Sequence, residues 1–406
     1  MEKTILYWIW MQQVFDCGSP KPVQLWRKFS SVRSFFEQAP GLLEDSSVFS
    51  KAESRRAGSV TLEDCQRIFE QAQKLKMKLL TPDDTEYPEC LLQIAAPPAV
   101  LYYQGTLPPV DDVPTVAIVG SRVACPNAMT ATRLISRQLA EAGAVIVSGG
   151  AVGIDSAAHA GALEAGGKTI SLLASSLDLP YLKSNEKMRR TIAEQGMLCS
   201  EYPPGTPARK WHFGIRNRLI SGLSCGVLVS EASLKSGSMM TAHHAVEQSR
   251  DVFTLLVDSW RDNAEGVLRL LWDGAKPVSC AADILTEFKS RFPACEVPER
   301  KPLSQLMAEV SPVTNKEGLK DYCPPSEIVL PEALKTPEPF TAPVLSQELS
   351  PAAQKVYEVL GREPMTAESI HTRTGLLIQE IFQAVTELEI CGRIHSFSGR
   401  RYAKKS

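Results

Sequence analysis

Apolar and polar positions along the chain fall into three textures. In residues 1–75, apolar stretches at helical spacing (Ile5–Phe15, Val23–Phe36 and Glu63–Leu75) alternate with polar breaks, which predicts a small helical domain. From Thr115 the texture changes to short, wholly apolar runs: Val116–Val119, Val145–Val147, Thr169–Leu173 and Gly226–Val229. Each run is followed by a helix-compatible stretch. Strands that are apolar on both sides and alternate with helices predict a parallel sheet covered on both faces, a doubly wound α/β core. Residues 296–350 then hold nine of the 28 prolines, mixed with Ser, Glu and Lys, and no apolar period survives there. Such a composition predicts a flexible linker. Beyond it, Ala352–Leu360, Thr366–Thr374 and Leu377–Ile390 read as helices, and Arg393–Tyr402 as a hairpin turning at Ser398-Gly399. Three helices and a hairpin in that order predict a winged helix. The expected domains are 1–80 helical, 81–290 α/β core, 291–350 Pro-rich linker and 351–406 winged helix.

Three turns leave the carboxyl ends of the expected strands: Gly120-Ser121-Arg122, Ser148-Gly149-Gly150-Ala151-Val152-Gly153-Ile154-Asp155, and Ser236-Gly237-Ser238-Met239-Met240-Thr241-Ala242. In a parallel sheet those ends share one edge, so the three turns converge on a single crevice. Glycines let backbone approach a ligand, and the following helices offer unpaired N–H groups to an anion. The hydroxyls of Ser148, Ser238 and Thr241 add donors. One Gly-rich turn alone is commonly no more than a tight connection; three on one edge, one with an arginine, favour an anion site. Neither G-x-G-x-x-G nor G-x-x-x-x-G-K-[ST] occurs, which argues against ordinary dinucleotide or ATP binding, and no cofactor is expected.

Composition constrains this reading. The net charge is −2, so a polyanion meets no overall attraction and any basic surface has to be local. The ten cysteines (17, 65, 90, 125, 199, 225, 280, 295, 323 and 391) are scattered singly with no C-x-x-C pair, so no zinc ribbon, and no metal site, is expected. Met1–Met11 is apolar and Trp-rich, but Glu2 and Lys3 leave no positive leader and no small-residue cleavage site follows. The expectation is a buried first helix in a cytoplasmic protein that does not enter a membrane.

Lys210-Trp211-His212-Phe213-Gly214-Ile215-Arg216-Asn217-Arg218 carries three cations and three rings in nine residues. Rings beside phosphate-pairing cations hold single strands without reading sequence. The same residues also fit a packed helix whose arginines pair with Glu201 or Glu231.

Taken together these stretches resemble the DNA-processing protein A (DprA, or Smf) family. Tyr87-Pro88, Pro97-Pro98, Leu101-Tyr102 and Gly105 lead into IVGSR (118–122), SGG-x-x-GIDSAAH (148–159), GALEAGGKTI (161–170), SEYPPGTP (200–207), HF-x-x-RNRLISGLS (212–224), EA-x-x-x-SGS-x-x-TA (231–242) and DGAKPV (273–278). RTGL (373–376), with the helix and hairpin after it, resembles the family's winged helix. The resemblance implies a Rossmann-like core with an N-terminal SAM-like helical domain. It further implies that the protein is not an enzyme but binds single-stranded DNA, forms a homodimer through the core, and delivers the strand to the RecA recombinase during natural transformation and recombination. The family's site maps onto Arg122, Lys210 as phosphate partner and Phe213 as stacking ring. Backbone contacts come from Gly120, Ser121, Ser148, Gly149, Gly150, Gly153, Gly237 and Ser238, with Arg216, Asn217 and Arg218 either contacting DNA or bracing the site. Departures from the family pattern are Val152 where an arginine is common, Ser175-Ser176, Leu255-Leu256-Val257-Asp258 and Leu268.

Two rival readings differ in class. A nucleotide phosphoribohydrolase of the lysine-decarboxylase-like (LOG) group shares the core turn but places glutamates close behind P-G-G-x-G-T. Here Thr241-Ala242-His243-His244 follows and the next acid is Glu247. Adjacent histidines on a helix point about 100° apart, so His243 and His244 cannot share one small site. His159 is expected to be packed in the core. A duplex-reading winged-helix regulator is the other rival, but the third helix displays Gln379, Glu380, Gln383, Glu387 and Glu389, a face that repels phosphates. Cations gather at Arg393, Arg400, Arg401, Lys404 and Lys405, so the module is expected mainly to contact protein.

Overall fold

Alternate residues of each central strand belong to different cores. Ala117, Val119, Val145, Val147, Ile170, Leu172, Val227 and Val229 pack on one face of the sheet, while Val116, Ile118, Ile146, Leu228, Phe253 and Leu255 pack on the other. This two-sided burial is why the strands read as continuous apolar runs. The computed structural model describes residues 2–180, 185–256, 264–300, 305, 349–361, 365–376, 378–390, 393–397 and 401–405.

The chain starts with helices α1 (Glu2–Phe15), α2 (Lys21–Phe29), α3 (Val32–Gln38), α4 (Lys51–Ser59) and α5 (Leu62–Lys74). The expected single helix over Val23–Phe36 is two. Ser30 takes a left-handed conformation (φ 62°) and the Ser31 hydroxyl accepts from the Ser34 N–H to start α3, a local bond that competes with helix continuation. The polar helix α4 has no apolar stripe to announce it. It is set by a capping box in which Ser50 and Glu53 satisfy each other's backbone.

The core follows as β1 (Lys78–Leu80), α6 (Glu89–Leu92), β2 (Leu101–Gly105), β3 (Thr115–Val119), α7 (Pro126–Glu141), β4 (Val145–Ser148), α8 (Ile154–Glu164), β5 (Thr169–Leu173), α9 (Glu186–Gln195), β6 (Met197–Ser200), α10 (Lys210–Gly222), β7 (Gly226–Val229), α11 (Gly237–Glu247), β8 (Asp251–Leu255), α12 (Glu265–Trp272), β9 (Lys276–Val278) and α13 (Ala281–Phe288). The strand order is β1-β2-β6-β5-β4-β3-β7-β8-β9. The seven strands from β6 to β9 in that order run parallel, and β2 and β1 add an antiparallel edge. The order reverses direction between β3 and β7, the topological switch point of a doubly wound sheet. The sheet therefore begins at Lys78, inside the segment expected to be purely helical. That edge ties the N-terminal helices to the core: Leu101 and Tyr103 face the sheet core, while Tyr102 joins Trp8, Trp10, Phe15 and Phe35 in the helical cluster. Residues 1–323 form one contact unit and 324–406 another.

The second unit holds α14 (Pro351–Val359), β10 (Met365–Thr366), α15 (Ala367–Thr374), α16 (Ile378–Ile390), β11 (Ile394–Phe397) and β12 (Arg401–Lys404). Its three-stranded sheet, in the order β10-β12-β11, completes a winged helix with a short strand that the sequence pattern does not announce. Ser398-Gly399 and Arg400 lie outside the described residues, as do most of the 291–350 linker, Val257-Asp258 and two of the cysteines, Cys323 and Cys391. The other eight cysteines are free. Among the described residues no helix is long and apolar enough to cross a membrane.

His159 on α8 is fully buried. Thr169 Oγ1 donates to the Ile146 carbonyl at 2.8 Å, so it accepts from His159 Nδ1–H, also at 2.8 Å. Nε2 is left with no partner among the described residues. Burial, reinforced by the Arg216 charge, pushes the imidazole from 6.5 down to about 3. Between those values the unfolded chain takes up a proton that the folded chain refuses. The stability owed to neutral His159 is thus complete above about pH 6.5 and lost at up to about 1.4 kcal/mol per pH unit below it. In urea unfolding, His159→Gln is expected to lose less stability between about pH 7 and about pH 5 than the parent does. An equal loss in both would show that His159 does not carry this acid sensitivity.

Candidate functional site

The turns after β3, β4 and β7 meet at the switch point and are stitched to one another. Ser121 N–H donates to Glu231 O at 2.7 Å, and Ile154 N–H donates to Ser121 O at 3.1 Å. Ser230 N–H donates to Val119 O at 3.1 Å. Gly153, with φ +83°, opens α8 so closely against the first turn that a Cβ would stand 2.8 Å from Arg122 O. A Cβ on Gly120 would stand 2.9 Å from Glu231 O. These glycines are needed for the turns to approach each other, a use distinct from the ligand approach expected of them.

Helix α10 crosses this edge and supplies its charge. Arg216 is 5% exposed. Its Nη1 donates to Gly149 O at 2.8 Å and to Leu172 O, the ends of β4 and β5, and its Nε donates to Asn217 Oδ1 at 3.2 Å. The guanidinium fills the space above Gly149, where a Cβ would lie 2.7 Å from Cζ. Asp155, at the start of α8, accepts from Ala151 N–H at 3.3 Å. Its burial raises the carboxyl above the ordinary range, against the lowering pull of Arg216, of the Ala151 hydrogen bond and of Arg122. Phe213, one turn before Arg216, is half-buried. Its ring has the Arg122 guanidinium 5.1 Å from its centroid and that of Arg216 at 5.8 Å. Arg122 and Lys210 are exposed. One ring with two guanidinium groups near it, and a lysine three residues away on the same side of α10, make a surface able to hold an anion and a flat ring together.

The other expected site residues serve mainly to build this edge. The Ser148 hydroxyl is sealed beneath it, donating to Ile118 O at 2.6 Å. Gly150 turns with φ +68°, and its carbonyl accepts from Asn185 Nδ2 at 3.1 Å. Asn217 Nδ2 donates to Gly237 O at 3.0 Å, tying α10 to the start of α11. Ser238 Oγ shares a 2.6 Å hydrogen bond with Ser236 Oγ, and Gly237 is exposed. Thr241 is buried.

Arg218 points elsewhere. It is buried and its Nη2 meets Glu201 Oε1 at 2.7 Å. The same carboxylate oxygen accepts from the Gly18 N–H at 3.1 Å, and the Glu201 carbonyl accepts from Gln12 Nε2 at 2.8 Å and Cys17 Sγ at 3.4 Å. Of the two acids open as arginine partners, Glu201 takes Arg218, whereas Glu231 Oε2 accepts the Cys125 N–H at the start of α7. Glu201 thereby pins the N-terminal helical domain to α10, a role with no signal in sequence beyond its place directly after β6. Of the histidines at 243 and 244, His244 Nδ1 lies 3.2 Å from Glu247, and His243 is exposed.

Two family models match this chain. One described as DNA recombination-mediator protein A covers residues 78–289, and one described as the DprA winged helix domain covers 340–400. Protein Smf of Synechocystis is 34% identical over 342 residues, which is 84% of this chain and 83% of the relative. DNA processing protein DprA of Streptococcus pneumoniae is 40% identical over 206 residues, 51% of this chain and 72% of the relative. A solved structure of DNA processing protein A from Streptococcus pneumoniae superposes with a TM-score of 0.60 at 31% identity, covering 68% of this chain and 95% of that one.

Two substitutions test the architecture. Gly149→Ala displaces the Arg216 guanidinium and is expected to cost about 1–3 kcal/mol in chemical denaturation; an unchanged midpoint would mean that Arg216 does not occupy that space. Glu201→Gln leaves the buried Arg218 unpaired, at a cost of about 3–5 kcal/mol. Breaking the half-exposed Arg137–Glu141 pair is expected to cost under about 1 kcal/mol. Similar losses for the two pairs would contradict a buried lock at Glu201.

Proposed function

The chain belongs to the DNA recombination-mediator protein A family, and from that footing we propose that it binds single-stranded DNA at the switch-point edge, acting as a binding protein and not a catalyst. The observation that carries this reading is the Phe213 ring with the Arg122 and Arg216 guanidinium groups near it and the exposed Lys210 beside it. A base stacks on the ring, and Arg122 and Lys210 take the flanking phosphates. Arg216 and Asn217 hold the ring and its helix in place, and Arg218 braces from behind. The backbone of Gly120-Ser121, Ser148–Gly150, Gly153 and Gly237-Ser238 shapes the edge.

Local charge is what lets a chain of net charge −2 attract a polyanion: the cations stand at one sheet edge, and the acids near them are internally committed. The wider role we propose is that of the family resemblance: a cytoplasmic homodimer, joined through the α/β core, that passes its strand to the RecA recombinase during DNA uptake and recombination. The winged helix serves as a protein-contacting module. Within it Glu387 is engaged in holding Ser350, whose N–H and hydroxyl donate to its carboxylate at 2.7 and 2.6 Å. Arg393 and Lys404 gather over the Tyr357 ring.

Binding is tested by titrating single-stranded DNA at several salt concentrations. Affinity is expected to fall with salt, and Arg122→Ala and Lys210→Ala each to reduce the log–log slope by about 0.7. Phe213→Ala is expected to cost about 1–3 kcal/mol with little change of slope. Parental affinity in an Arg122→Ala, Lys210→Ala double variant would put the site elsewhere. Gel shifts with and without RecA address the partner.

A further inference from the structure

The first turn of α10 carries a second ring that the Phe213 edge leaves unused. Trp211 is 59% exposed, whereas Trp8 and Trp10 are almost wholly buried. The Arg209 guanidinium lies 5.2 Å from the indole centroid. From below, the indole meets the His212 ring edge-on at 5.5 Å, and His212 is itself stacked on Tyr202 at 4.1 Å. His212 and Tyr202 are buried, so the indole stands on a fixed base of two rings with most of its own surface open. Arg209 and Lys210 are exposed, and among the described residues neither lies within ion-pair distance of a carboxylate.

An open indole beside two exposed cations matches an anionic ligand with flat rings and suits neither an apolar nor a basic protein surface. Trp211 and Phe213 are two residues apart on one helix, so their side chains leave the axis about 200° apart. One base cannot stack on both. We propose that Arg209 and Trp211 form a second stacking platform for single-stranded nucleic acid, reached by a strand that leaves Phe213 and crosses the amino-terminal end of α10. The inference rests on the reading of the Phe213 edge as a single-strand site. Lys210, between the two rings, takes the phosphates of the crossing nucleotides, and the platform holds any base because every base has a π-face.

The experiment is anisotropy titration with oligo-dT strands of increasing length, and with a long strand of abasic sugar-phosphate. The parent is compared with Phe213→Ala, Trp211→Ala, Trp211→Phe and Arg209→Ala. Trp211→Ala is expected to bind the shortest strands as the parent does and long strands about tenfold more weakly. Trp211→Phe is expected to restore most of that loss, and the abasic strand to bind parent and Trp211→Ala alike. Arg209→Ala is expected to lower the salt slope for long strands only. If Phe213→Ala weakens binding while Trp211→Ala leaves long strands unaffected, the platform is wrong and the Phe213 site stands. If Trp211→Ala weakens short, long and abasic strands equally, Trp211 is not a stacking platform. If neither ring matters, the edge itself is not the site and the platform falls with it.

Discussion

A buried guanidinium organises the switch-point edge of this protein. A charge taken out of water is costly unless its donors are met, and Arg216 is met by the carbonyl ends of β4 and β5, by the Asn217 side chain and by the field of Asp155. Apart from Asn217 on the same helix, those partners come from two other chain segments, the second turn and β5. Satisfying one side chain therefore fixes how α10 lies across the sheet and how the second turn folds beneath it. Gly149 has no side chain because the guanidinium occupies that volume.

The consequence is a division of labour among cations on a single helix. Lys210 at its start stays in solvent, Arg216 is spent on the sheet, and Arg218 on Glu201. The ring of Phe213 sits where the exposed Arg122 and the buried Arg216 both reach it. On the proposed reading, a base arriving there would meet a ring whose helix is already fixed by folding, so little ordering would be left for binding to oppose. The N-terminal helical domain takes part through the Asp16–Gly18 turn. There Gly18 donates to the carboxylate that also holds Arg218, and a Cβ on Gly18 would meet Ile215 of α10 at 2.8 Å. The helical domain is thus packed into the support of α10.

Much of the core was legible because its physics is local or periodic. Strands buried on both faces announce themselves as apolar runs, and the expected positions of β3, β4, β5 and β7 match the structure. The convergence of the turns followed from a general property of parallel sheets, and the cations and rings of residues 210–218 were visible as a composition. Less legible were elements whose stability comes from pairing or capping. β1 and β10 are too short for a period, α4 is too polar, and the break between α2 and α3 depends on the Ser30 backbone and the Ser31 hydroxyl. Glu201 was expected as a possible arginine partner, but its link to the N-terminal helices was hidden, because Gly18 and Gln12 are near it only in three dimensions.

Sequence alone determined the fold class, the edge on which the turns gather and the residue types available there, since these depend on hydrophobic period, glycine and charge along the chain. It left open whether each arginine on α10 was free or committed, and whether Trp211 was core or surface. Only the tertiary structure decided those points. An arginine's role is set by the burial of its head group and by the acceptors that reach it, and those acceptors (Gly149 O, Leu172 O and Glu201) are brought to α10 by the packing of the whole sheet.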